Sequence, residues 1–156
     1  MTVTNAMRLL KQANIRFDTS EYEVDESDLS GVHAAAMLDV DPDCVFKTLV
    51  ARGGRNGLYV FVIPVAEELD LKKAAAAAGE KSLAMMHVRD LEAVCGYVRG
   101  ACSPVGMKKS FRTLIDETAQ LYDKIGISGG RKGVTLTLDP VALVGFIGAT
   151  LADITL

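Results

Sequence analysis

The stretch from Cys44 to Pro64 constrains the fold more than any other part of the chain. Two apolar runs, Cys44 to Arg52 and Leu58 to Pro64, flank Gly53-Gly54-Arg55-Asn56-Gly57. Strand-forming residues on either side of a glycine-rich turn predict a β-hairpin. Around it, helical and extended patterns alternate. Met7, Leu10 and Ala13 recur at helical spacing from Thr4 to Ala13, and a strand is expected from Glu21 to Val24. Ser30 is placed to cap a helix through Ala34 to Leu38, which Asp41-Pro42-Asp43 closes. Asp70 and Gly79 bracket a helix through the alanines 74–78, and a short helix follows from Val88 to Val94. Thr113 to Ile115, Leu121 to Ile127 and Val134 to Leu138 read as strands, and Asp139-Pro140 opens a last helix. The mixture predicts an α+β (mixed α/β) fold, with a mostly antiparallel central sheet flanked by helices. At 156 residues, with 49% hydrophobic and 24% charged residues, residues 1–156 are read as a single domain.

The same inventory excludes several function classes. No apolar run approaches the ~18 residues of a membrane span, and the N-terminus lacks a charged segment followed by an apolar one. The expected location is therefore the cytoplasm. Cys44, Cys95 and Cys102 are odd in number and have no C-x-x-C spacing, so neither a disulfide framework nor a zinc site is indicated. With only His33 and His87 besides, no metal and no cofactor are expected. P-loop and dinucleotide-binding spacings are missing as well. Net charge is −3, which argues against gripping nucleic acid by bulk electrostatics. The charges are nevertheless segregated: nine acids and no Lys or Arg lie between Asp18 and Asp43, and four cations and no acid between Ala93 and Ile115. This polarity predicts one anion-facing side and one partner-facing side.

Three features carry candidate chemistry. Gly96 to Lys109 holds three glycines, Pro104 and the cations Arg99, Lys108 and Lys109, a composition that presents backbone N–H groups and positive charge to an anion. Lys47 interrupts an apolar stripe, on the same strand face as Val45 and Leu49. Burying an ammonium costs several kcal/mol without compensation, so Lys47 is either an edge-strand gatekeeper or the floor of a polar cleft. Ile127 to Gly133 forms a second glycine-rich turn with Arg131 and Lys132. Cys102 and Ser103 are the visible nucleophile candidates, but nothing in the spacing supplies either with a base.

Together, Glu21-Tyr22-Glu23, Val45-Phe46-Lys47-Thr48-Leu49, Pro64 with Leu69 to Lys73, Gly96 to Lys109 and Ser128 to Gly133 resemble the YbaK/EbsC family along nearly the whole chain. That family comprises free-standing aminoacyl-tRNA deacylases related to the editing domain of bacterial prolyl-tRNA synthetases. The resemblance implies a YbaK-type fold and the hydrolysis of mischarged tRNA, with Cys-tRNA(Pro) as the first candidate and Ala-tRNA(Pro) as the alternative. It implies that Lys47 and Gly100 are catalytic, and that Tyr22, Thr48, Ala101, Cys102, Ser103, Pro104 and Ser128 meet the substrate. Lys108, Lys109, Arg131 and Lys132 are then expected to contact tRNA, with prolyl-tRNA synthetase as a partner in trans. In cysteine-specific members the substrate's own thiol attacks its ester, so no protein nucleophile is required. Thr135 stands where many relatives carry an aspartate, and residues 27–30 lack an aromatic found in some members. A non-catalytic module binding nucleotides or RNA ends through the same loops is the competing expectation.

Overall fold

The computed structural model describes residues 3–156. Helix α1 (Asn5–Gln12) starts where the Thr4 hydroxyl accepts a hydrogen bond from the Met7 amide, and it buries Ala6, Met7 and Leu10. Strand β1 covers Phe17–Glu21, not the expected Glu21 to Val24. The shift follows from its partner: β7 (Val134–Leu138) pairs with it residue for residue, from Phe17 opposite Leu138 to Glu21 opposite Val134, so it ends where β7 does. The Ser30 hydroxyl caps α2 (Gly31–Met37). The expected hairpin is present as β2 (Phe46–Arg52) and β3 (Leu58–Pro64), in antiparallel register and joined by a 3-10 turn.

Helix α3 (Leu71–Ala78) is capped by Asp70, whose carboxylate accepts from the Lys72 and Lys73 amides at 3.0 and 3.1 Å; such a cap is worth about 1 kcal/mol. Then follow the short strand β4 (Ala84–Met85), helix α4 (Val88–Cys95) and β5 (Arg112–Asp116). The strand expected from Leu121 begins only at β6 (Ile125–Ser128), because residues 117–121 form a 3-10 turn. Buried Asp116 dictates that turn: one carboxylate oxygen accepts from the amide and hydroxyl of Thr118 and the other from the Ile154 amide. Helix α5 (Pro140–Ile147) and β8 (Thr150–Ala152) complete the fold.

The mixed, mostly antiparallel arrangement is divided between two sheets, β1-β7-β6 and β4-β2-β3-β5-β8. The smaller sheet and one face of the larger bury a shared core with α1, including Phe46, Val62, Ile115, Ile127 and Leu136. On the other face of the larger sheet, Phe61, Ile63 and Leu114 pack against Ala74, Ala75 and Ala78 of α3. Alanines on that helix face let it lie close to the strands, and each fully buried aliphatic or aromatic side chain contributes about 1.5–3 kcal/mol. An isolated bridge between Val45 and Gly126 joins the two sheets.

Candidate active site

That bridge bounds a gap in the larger sheet. Strand β2 pairs with β3 along its whole length, but on its other side β4 reaches only Ala51 and Arg52. The phase of its peptide groups follows from two hydrogen bonds: the Val65 amide donates to the Val45 carbonyl at 2.8 Å, and the Met86 amide donates to the Val50 carbonyl at 3.1 Å. Peptide groups alternate sides in an antiparallel ladder, so the N–H and C=O of Thr48 point away from β3, toward the open edge. A cavity of about 350 Å³ occupies that edge. It is a size suited to a small ligand.

The cavity draws its walls from distant parts of the chain. Lys47, Thr48, Tyr22, Gly100, Cys102 and Ser128, all singled out in the sequence, line it together. Tyr22 is set at the end of β1, where its amide donates to the Gly133 carbonyl at 2.9 Å. Gly133 has φ +81°, and a Cβ there would lie 2.8 Å from the Tyr22 carbonyl oxygen, so this contact requires glycine. Lys47 is half-buried; desolvation lowers its pKa below the ordinary lysine value, partly offset by Glu68 and Glu67. It is a desolvated cation with no carboxylate within ion-pair distance among the described residues. Thr48 is 8% exposed and its hydroxyl has no hydrogen-bond partner among the described residues. A buried orphan hydroxyl at a cavity wall is a polar group held ready for a ligand.

The loop from Gly96 to Lys109 is built as expected in type but not in every residue. Gly100 has φ +89° and reaches the cavity. Ala101, Ser103 and Pro104, expected against the substrate, are buried and are not among the residues that line the cavity. Their work is internal. The Ser103 hydroxyl accepts from the Val105 amide at 3.2 Å, the Tyr97 hydroxyl donates to the Val105 carbonyl, and the Ser128 hydroxyl donates to the Ala101 carbonyl at 2.8 Å. Ser128 also accepts from the Gly130 amide, so it ties the two glycine-rich turns together. Cys102 faces the cavity, but burial and the neighbouring Cys95 thiol push its pKa far up, which leaves it a neutral thiol and not a nucleophile.

The basic residues divide. Lys108 and Lys109 are exposed and carry no ion pair among the described residues. Arg131 and Lys132, in contrast, lie against Glu21 at 3.6 Å and Glu26 at 3.1 Å. The acidic segment and the second basic turn are therefore neighbours that partly neutralise each other. Arg99, counted among the loop cations but given no role of its own, and Thr135, noted only where relatives carry an aspartate, both line the cavity, together with Leu29, Met85, Met86, Val88 and Leu91. The apolar members carried no local signal beyond Met85-Met86 lying between two helical patterns. Among the residues lining the cavity there is no Asp, Glu or His.

Residues 29–146 match the sequence pattern of the aminoacyl-tRNA editing domain. The chain belongs to the aminoacyl-tRNA editing domain family. It is 43% identical over 152 residues to EbsC of Enterococcus faecalis strain ATCC 700802 / V583, provisionally named a Cys-tRNA(Pro)/Cys-tRNA(Cys) deacylase, covering 97% of this chain and 93% of that one. Among solved structures, the fold is shared with the hypothetical protein APE2540 (TM-score 0.87, 23% identity, covering 96% of this chain and 97% of that one). It is shared too with a chain provisionally assigned as a trans-editing enzyme for prolyl tRNA synthetase (TM-score 0.80, 22% identity, covering 99% of each). The YbaK/EbsC resemblance and the mixed α/β editing fold are thereby established.

Proposed function

We propose that this editing domain hydrolyses the ester of mischarged tRNA, with Cys-tRNA(Pro) as its principal substrate. The observation that carries the reading is a cavity that offers cation, hydroxyls and free peptide groups but no Asp, Glu or His to activate water. Such a site favours a substrate that brings its own nucleophile. The cysteinyl thiol attacks the carbonyl carbon of its ester; its proton is lost, the C–S bond forms and the ribose oxygen leaves, taking up a proton. The products are free tRNA and a four-membered thiolactone, which water then opens. What the protein supplies is placement and electrostatic stabilisation of the developing oxyanion.

In this scheme Lys47 faces the carbonyl oxygen, where its desolvation strengthens the interaction with developing negative charge. The Thr48 peptide and hydroxyl hold the aminoacyl group, and Gly100 lets the loop backbone approach the ester. Tyr22 and Ser128 complete the polar wall. Lys108 and Lys109 meet the acceptor-end phosphates, with Arg131 and Lys132 contributing once they exchange Glu21 and Glu26 for phosphate. A protein of net charge −3 binds tRNA weakly by itself, which favours prolyl-tRNA synthetase as the partner that delivers it.

The test is deacylation of Cys-, Ala- and Ser-charged tRNA(Pro), with and without the synthetase, by wild type and Lys47→Ala. Rapid loss of cysteine only, abolished in the variant, is the expected result. Equal rates for cysteine and alanine would sink the thiol mechanism, and full activity in Lys47→Ala would sink the assigned site.

A further inference from the structure

The cavity has two chemically different ends, and the deacylase reading uses only one. The polar end lies at the start of β2, where Lys47 and Thr48 face Tyr22, Ser128 and Thr135. The far end lies beyond Val50, where Met86 hydrogen-bonds back to the strand and Met85, Val88 and Leu91 make the wall. Strand rise puts Val50 about 7 Å along the edge from Thr48, and Ala51, which pairs with Met85, about 10 Å. A ribose joins an ester to its base over a span of that order. Met85 is 42% exposed and Val88 57% exposed, so this wall is an apolar surface left without cover at the cavity mouth.

We infer that the Met85–Met86–Val88–Leu91 wall is a purine subsite, which takes the terminal adenine of the tRNA while its ester sits at Lys47 and Thr48. This rests on the deacylase reading and adds to it. Methionine thioethers are polarisable and conform to an aromatic face, giving sulfur–ring contacts without hydrogen bonds. They suit a base that must be held but not read, since every tRNA ends alike. Arg99 lines the same cavity and has no ion pair among the described residues, so the cavity also offers a cation to a phosphodiester. The base end is thus apolar and the ester end polar.

The experiment uses two non-hydrolysable ligands: 3′-deoxy-3′-(alanylamino)adenosine and the same amide on a methyl riboside lacking the base. With methyl-13C methionine, the adenosine ligand is expected to shift the Met85 and Met86 methyls and leave Met37 unmoved. It should bind the wild type about threefold to tenfold more tightly than the base-free ligand. That advantage should vanish in Met85→Ala and Val88→Ser, two partly exposed positions, while base-free binding is unchanged.

Still methyls, equal wild-type affinities, or variants that weaken both ligands alike would overturn the subsite. So would a base-free ligand that shifts the same methyls, since the amino-acid side chain would then occupy the wall. If mischarged tRNA is deacylated yet the base makes no difference, the subsite falls and the deacylase stands. If the wild type neither binds the amide nor deacylates tRNA, both fall.

Discussion

Lys47 and Thr48 are adjacent residues that cost stability in complementary ways. Desolvation lowers the pKa of Lys47, so its charged form is disfavoured in the folded state relative to the unfolded one. Between that lowered value and the ordinary 10.5 the unfolded chain binds more protons, so this group makes stability rise with pH through the window. Below that window both states are protonated and the full penalty applies. Lys47→Met should therefore keep or raise Tm at pH 7 while abolishing deacylation; a Tm loss of more than about 4 °C, near 1–2 kcal/mol for a domain of this size, would contradict this. The reaction should also fail as pH rises through the lowered Lys47 pKa, below the point at which a solvated lysine titrates. Thr48→Val removes the orphan hydroxyl without changing shape. It should stabilise the free protein by up to about 1 kcal/mol in denaturant titration and weaken aminoacyl-amide binding severalfold, opposite signs that a purely structural threonine would not show.

At the scale of elements, legibility depended on whether the decisive contact was local. The hairpin, the helix starts at Ser30, Asp70 and Asp139 and strand β7 could be read because the residues that fix them are neighbours in sequence. β1 was misplaced because its limits belong to β7, more than a hundred residues away, and the start of β6 because the buried Asp116 pairs with Ile154. In the site, Lys47 announced itself as a cation among apolar residues. The Met85–Leu91 wall did not, since apolar residues look alike whether they fill a core or line a cleft. Ala101, Ser103 and Pro104 share a motif with Gly100, but only tertiary packing decides which of a loop's residues face the ligand. Ser128 is the joint between the two glycine-rich turns, through its bonds to Ala101 and Gly130. Ser128→Ala should cost about 1–2 kcal/mol in unfolding free energy and raise KM more than it lowers kcat, because it loosens the Gly100 loop without removing a charge. A variant with wild-type KM would show that the loop is held by its other bonds alone.

For the whole molecule, the distribution of charge decides how tRNA can be held. A chain of net charge −3 has no long-range field to collect a polyanion, so binding must come from cations near the site. Besides Lys47, which this reading assigns to the ester, three of these are without ion pairs among the described residues: Arg99, Lys108 and Lys109. Arg131 and Lys132 already face Glu21 and Glu26, so phosphate gains little more than those carboxylates give up. Each phosphate neutralised contributes a slope of about −0.7 to −0.9 to log K against log salt. Three free cations therefore set a slope near −2 to −3 for tRNA binding by this chain alone, shallow for a nucleic-acid-binding protein. Replacing Lys108 and Lys109 with alanine should reduce it by about 1.5, whereas replacing Arg131 and Lys132 should change it by much less. Replacing Glu21 and Glu26 with glutamine should steepen it, since that frees the two basic side chains for phosphate. Filter binding of tRNA across a salt series measures all three. A steep wild-type slope, or equal losses from the two basic pairs, would mean that the acidic segment moves aside when tRNA binds.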